Sequence, residues 1–326
     1  MASIKDVARE AGVSTATVSR MMANKGYISE EARAKVEAAV KKLGYRPNRA
    51  AQQLRNPGSH IIALIVSDIQ NPFFGELCRA VETFAQKRGF CVFVCNTDEN
   101  PEKERRYLEL VGQEQVAGVI ISPSSQGLAP IQKLQQQGIP SVMVDRQVSS
   151  GFDAVLGDNI RGAHILTRRV LKSGYRRIAG IFGKNSFTAD ERLAGFEAAL
   201  EENDQQALSI QRVPAFEAEG RKAMERLLIT NEKPDAIICS SALIATGAYR
   251  AIHAAKLSIP EAIGFACFDD PTWATFVKPE LTVIQQPASM IGETAAELLM
   301  KRIADKTRPP SLIRLEGSLI ERGSLR

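Results

Sequence analysis

Between Ser14 and Arg20 the chain reads Ser-Thr-Ala-Thr-Val-Ser-Arg, dense in hydroxyls although Val18, Met21 and Met22 keep helical spacing. Serine and threonine are poor helix formers. Short donors and acceptors on a slim helix are, however, what phosphates and base edges in a major groove require. On a helix, Thr15, Ala16 and Arg20 fall within about 140° of arc, opposite Val18. Arg20 suits a bidentate pair with guanine, Thr15 a hydrogen bond or a thymine methyl, and Ala16 apolar contact alone. Ser14, Thr17 and Ser19 suit phosphate contacts or caps.

A second set of residues stands at the ends of short apolar runs. "SDIQNPFFGEL" brings Asp68, Asn71, Phe73 and Phe74, "VDR" brings Asp145 and Arg146, and "GDN" brings Asp158 and Asn159. Arg192 opens a helix after the Gly183 loop, and "FDDPTW" brings Asp269 and Trp273. Aromatic faces stack on C–H groups while Asp and Arg bond hydroxyls, which is the chemistry of a polyol site. The three histidines, His60, His164 and His253, fit no triad, and neither a phosphate-binding Gly loop with a Lys nor metal-ligand spacing is present. The expectation is therefore a binding protein rather than an enzyme, with no cofactor and no metal.

The elements that must position these residues follow from periodicity. Ile4, Val7, Ala8 and Ala11 describe one short helix, capped by Ser3 and stopped by Gly12. Ser14 caps a second, and two short helices joined by a tight Gly turn form a helix-turn-helix. A third begins at Ser29, buries Val36, Ala39, Val40 and Leu43, and ends at Gly44. Residues 1 to 60 carry eleven Lys or Arg against five Asp or Glu, a net +6, whereas the whole chain is only +5. A small basic unit joined to a near-neutral body suits a polyanion-binding module. "RPNRAAQQLR" allows two helical turns from Arg49 with Asn48 as cap, too few to hold alone in water. This segment should order only on DNA.

From Ile61 onward, runs such as "IIALIVS", "GVIIS", "RIAGIFG", "DAIICSS" and "LTVIQQ" alternate with amphipathic stretches. That alternation predicts parallel sheets covered on both faces. The pattern restarts near residue 158, so two similar lobes are expected, with ligand held at the carboxyl ends of their strands. The first twenty residues are no secretory signal, and the six-residue run Ile61 to Val66 is far short of the about 18 a membrane helix needs, so a cytoplasmic protein with no membrane association is expected. The five cysteines are expected to be buried as small hydrophobes. No heptad helix precedes the final "ERGSLR", so tail-mediated tetramers are not expected.

"IKDVAREAGVSTATVSR" followed by "LGYRPNRAAQQLR" resembles the lactose/galactose repressor (LacI/GalR) family of bacterial transcription regulators, along essentially the entire chain. The resemblance implies a helix-turn-helix headpiece over 1–46, a hinge helix and linker over 47–60, and a two-lobed sensor over 61–326 like periplasmic sugar-binding proteins. Its lobes would be about 61–157 with 287–315, and 158–284, with three crossings as the closing hinge. It implies base contacts by Thr15, Ala16 and Arg20, with Asn24 also at the DNA. Asn48 to Arg55 would lie in the minor groove, where Leu54 wedges between base pairs, Ala51 allows close approach, and Arg49 and Arg55 neutralise phosphates. Ala51-Gln52 replaces the family's usual Ala-Arg, which weakens minor-groove electrostatics.

For the sensor, the resemblance implies effector contacts by Phe73, Arg192, Phe216 and Asp269, with Ser122, Ser124 and Arg146 added; Phe74 and Trp273 are further candidates by position. The family's common Asn-Asp pair is Ser241-Ala242 here. Loss of that carboxylate while Arg146 and Arg192 remain leans the effector towards a keto sugar acid, a gluconate derivative for example. The alternative is a purine or other metabolite acting as corepressor. Partners would be palindromic operator DNA, the small effector and a second copy of the chain, since symmetric operators call for two-fold proteins.

Overall fold

The computed structural model describes residues 2–22, 28–45 and 59–326, which form two compact units divided after Ser59. In the first, α1 (Ile4–Ala11) starts at a reciprocal cap: Ser3 accepts from the Asp6 N–H and the Asp6 carboxylate accepts from the Ser3 N–H. Gly12, at φ 65°, ends it in the left-handed conformation that glycine adopts freely. Next comes α2 (Thr15–Met22), with Ser14 Oγ accepting from the Thr17 N–H at 3.0 Å. Last, α3 (Glu30–Leu43) runs from its Ser29 cap to Gly44. Val7, Ala8, Ala11, Val18, Val36 and Ala39 form the shared core, flanked by Met21, Met22 and Leu43, and Lys42 reaches Glu10 at 2.6 Å.

The second unit holds two six-stranded sheets. In chain order the first contains β1 (Ile61–Val66), β2 (Cys91–Asn96), β3 (Gly118–Ile121), β4 (Ser141–Val144), β5 (Asp153–Gly157) and β11 (Leu312–Leu315), all parallel, in spatial order β11-β5-β4-β3-β1-β2. The second contains β6 (Ile178–Gly183), β7 (Ser209–Val213), β8 (Ala236–Cys239), β9 (Gly264–Phe268), β10 (Thr282–Gln285) and β12 (Ser318–Ile320), in the matching order β12-β10-β9-β8-β6-β7. Only β12 runs antiparallel, alongside β10. The expected second lobe ended at residue 284; β12 extends its sheet with chain from beyond 315.

Helices cover both faces of each sheet. In the first lobe these are α4 (Pro72–Gln86), α5 (Pro101–Gln113), α6 (Leu128–Gln136) and α11 (Ala288–Ala304). In the second they are α7 (Asn159–Lys172), α8 (Phe187–Glu201), α9 (Glu217–Leu228) and α10 (Ala242–Ala254). The chain passes between sheets after β5, after β10 and after β11. Two apolar clusters per lobe fill the layers between strands and helices, which is why the strand sequences are apolar throughout.

The expectation of five buried cysteines holds for two; Cys78 and Cys95 are half-buried and Cys91 is not buried at all. Cys239 and Cys267 are buried, and burial pushes both thiols well up. Cys91 is exposed, because β2 is an edge strand whose burial pattern is broken; Phe93 and Val94 on it are 54% and 50% exposed. An apolar sequence run does not reveal whether its strand lies at the centre or the edge.

Candidate functional site

On α2, Thr15, Ala16 and Arg20 are exposed while Val18 is fully buried. Ser14 and Thr17 are partly committed to the helix start: their hydroxyls lie 2.9 Å apart, and Ser14 Oγ also takes the Thr17 N–H. Thr17 and Ser19 are half-buried. Asn24, Arg49, Ala51, Leu54 and Arg55 lie outside the described residues.

A cleft of about 630 Å³ opens where the carboxyl ends of both sheets face one another. Phe73 and Phe74 sit at the start of α4, whose first turn is set by Asn71 accepting from the Phe73 N–H and by Pro72 at the first helical position. The two rings meet edge to face at 5.0 Å, and both line the cleft. Phe216 lines the other wall and is 53% exposed, the ring most open to a ligand.

Arg146 follows β4 and is almost wholly buried. Its Nε donates to Asp145 at 3.1 Å, its two terminal nitrogens donate to Glu99 at 2.8 and 2.9 Å, and one of them also reaches Ser67 Oγ at 3.4 Å. Burial opposes its charge, but the carboxylates of Asp145 and Glu99 outweigh that and hold its proton more firmly than usual. Arg192 is placed by α8. It donates to Asn159 Oδ1 at 2.8 Å and to the Ser240 carbonyl at 2.6 Å, and its guanidinium stacks on Phe268 at 4.3 Å. With no carboxylate bonded to it, burial dominates and lowers its hold on the proton.

Three sequence candidates stand elsewhere than expected. Ser122 is fully buried and donates to Asp145 at 3.1 Å, so it positions that carboxylate rather than facing the cleft. Asp269 does not line the cleft; it accepts from Gln286 Nε2 at 2.6 Å and from the Ala242 N–H at 3.3 Å, and Gln286 is the cleft-lining partner. Trp273 lies on a short 3-10 turn, Thr272–Thr275, that folds its indole back onto Tyr249 at 5.4 Å and the second-lobe core. Ser124 does line the cleft, held from behind by the buried Glu104, which accepts from its N–H at 2.7 Å and its hydroxyl at 2.9 Å.

Glu99, Gln286 and Glu104 also belong to the site, and none of them stands out from the sequence. Gln286 directly follows the apolar strand β10, a strand-end position of the same kind as Asp145 and Asp269. Glu99 precedes the Asn100-Pro101 helix start, but nothing local indicates that it meets an arginine 47 residues away.

The profile of periplasmic binding proteins and the sugar-binding domain of the LacI family matches residues 59–320, and that of bacterial regulatory proteins of the lacI family matches 3–48. The ribose operon repressor of Halalkalibacterium halodurans is 39% identical over 308 residues, covering 94% of this chain and 92% of that protein. The lac repressor dimer bound to operator and the anti-inducer ONPF superposes with a TM-score of 0.86 at 25% identity, covering 99% and 98% of the two chains. A regulator from Enterococcus faecium with bound ribose gives a TM-score of 0.75 at 28% identity, covering 81% of this chain and 98% of that one.

Proposed function

The chain belongs to the LacI family and is a DNA-binding transcriptional repressor, and from that premise we propose that its operator affinity is set by a neutral aldopentose, ribose or a close relative, held in the cleft between the lobes. The charge balance of the cleft carries the choice of ligand. Arg146, Lys184 and Arg192 line it together with Asp68, Glu99, Asp145 and Asp190, so cations do not outnumber carboxylates. The lean towards a sugar acid rests on Arg146 and Arg192 remaining where a carboxylate is lost at Ser241-Ala242, but Arg146 is already matched by Glu99 and Asp145. What remains is a set of rings for C–H faces and of bonded Asp, Arg, Gln and Ser groups for hydroxyls, which suits an uncharged sugar. The names of the ribose operon repressor and of the ribose-bound regulator support the same choice.

Operator reading follows from the first unit. Thr15, Ala16 and Arg20 would read base edges in the major groove, with Ser14, Thr17, Ser19 and Asn24 at phosphates. Leu54 would act as a minor-groove wedge, flanked by Arg49, Ala51 and Arg55. One headpiece reads only a half-site, so the working form is a homodimer on a palindromic operator, in the cytoplasm. The exposed edge of β2, with Phe93 and Val94 outward, offers an apolar surface for the second copy.

Calorimetry with D-ribose, D-gluconate, 2-keto-3-deoxygluconate and hypoxanthine tests the ligand. Ribose alone should bind and should alter operator retention in a mobility-shift assay. Binding of hypoxanthine instead would establish the purine alternative, and binding of either acid would restore the sugar-acid reading.

A further inference from the structure

We propose that Glu99 is the residue that makes the cleft select neutral sugars over sugar acids, by occupying the carboxylate-binding edge of Arg146. This rests on reading the cleft as a sugar site and names what sets its specificity.

A guanidinium offers two parallel N–H groups that match a carboxylate bidentately. In Arg146 that edge is taken from within: both Glu99 oxygens accept, at 2.8 and 2.9 Å, while Nε is held by Asp145. Adding the bond to Ser67, four of the five N–H groups of Arg146 are engaged, so a single donor is left for a ligand hydroxyl. A ligand carboxylate approaching the same edge would meet Glu99 already there, and like charges at that distance repel.

The backbone fixes Glu99 in this role. Its N–H donates to the Ser67 carbonyl at 3.1 Å, and the next residue, Asn100, caps α5 by accepting from Glu102 and Lys103. Asp98 and Glu99 both hold positive φ, 54° and 55°. Non-glycine residues pay for that conformation, and here it turns the Glu99 side chain onto Arg146. Both residues line the cleft, but the Glu99 side chain is 44% exposed against 5% for Arg146, so an entering ligand meets Glu99 first.

The test measures binding of D-ribose and D-ribonate by calorimetry to the full chain carrying Glu99→Ala or Glu99→Gln. The wild-type chain should favour ribose; in each variant the ribonate-to-ribose affinity ratio should rise tenfold or more, most in Glu99→Ala, where space is also released. Adding Arg146→Gln to Glu99→Ala should abolish the gain. Asp98→Asn, which neutralises the neighbouring carboxylate that pairs with Lys103 outside the cleft lining, should leave the ratio within about twofold of wild type. An unchanged ratio in both folded Glu99 variants overturns the inference, as does an equal gain in Asp98→Asn, which would reflect general electrostatics. If the wild-type chain binds no ribose, the pentose reading fails on its own; ribonate binding gained by the Glu99 variants over wild type still decides the role of Glu99.

Discussion

Asp145 and Asp269 occupy the same place in the two lobes. Each follows the strand fourth from the free edge of its sheet, β4 and β9, with φ of 66° and 69°. Each is more than nine-tenths buried, with its carboxylate turned to hold a neighbour rather than released to solvent. Asp145 takes Ser122 and Arg146, whereas Asp269 takes Gln286 and the Ala242 N–H. Asp tolerates the left-handed region better than most residues, which makes it an economical choice where a strand must turn sharply and still present a carboxylate.

Asp269 holds Gln286, which lines the cleft at the crossing after β10, so on the proposed reading its effect on the ligand would pass through Gln286. Asp269→Ala should abolish the effector response while operator binding persists, and Gln286→Ala should reproduce most of that loss. Titration of operator release with D-ribose reads both. A normal response in the pair would mean that the cleft is misassigned.

Arg20→Ala should cost about 1–3 kcal/mol of operator binding and relax preference at one base pair. Ser14→Ala should instead lower headpiece stability by about 1 kcal/mol through the lost cap and weaken all operators alike. Selection from a randomised operator pool separates the two patterns, and loss of preference in Ser14→Ala alone would reverse the assignment.

Leu54→Ala should weaken binding to a palindromic operator several-fold or more and reduce the bend. Circular-permutation gel shifts measure both quantities. Unchanged affinity and bend angle would refute the wedge.

Arg302 ties α11 to the start of β5. It donates to both oxygens of the buried Asp153 at 2.8 and 3.1 Å and to the carbonyls of Lys306, Arg308 and Pro309. Removing one partner of such a pair strands the other charge, so Arg302→Ala should cost about 3–5 kcal/mol in urea unfolding. A loss under 1 kcal/mol would show that solvent reaches Asp153 freely.

Glu104 gives a pH signature. Burial raises its carboxyl above the ordinary value, against the bonds from Ser124 that lower it. The folded chain therefore keeps this proton to a higher pH than the unfolded chain does. Its contribution to stability is greatest below the ordinary carboxylate value, falls as pH rises through the folded value, and is level beyond it. Glu104→Gln keeps a bonding partner for Ser124 without titrating, so its melting temperature relative to wild type should rise from pH 4 to pH 7. A difference that is flat across that range would place Glu104 in water.

By itself the sequence determined the local elements and their sides. Ser3, Ser14 and Ser29 start helices and Gly12 and Gly44 stop two of them because capping and left-handed backbone are decided within a few residues. The outward position of Thr15, Ala16 and Arg20 follows from helical period alone, and the near-continuous Ile and Val runs marked covered parallel strands. Tertiary structure decided what each polar side chain meets. Arg146 reads as a free cation until β2 and β4 join one sheet and bring Glu99 to it. Trp273 reads as a cleft residue until Pro271 and the turn after it direct the ring onto Tyr249. Both facts depend on contacts between residues distant in sequence, whose pairing is fixed by strand order, and no local pattern encodes that order.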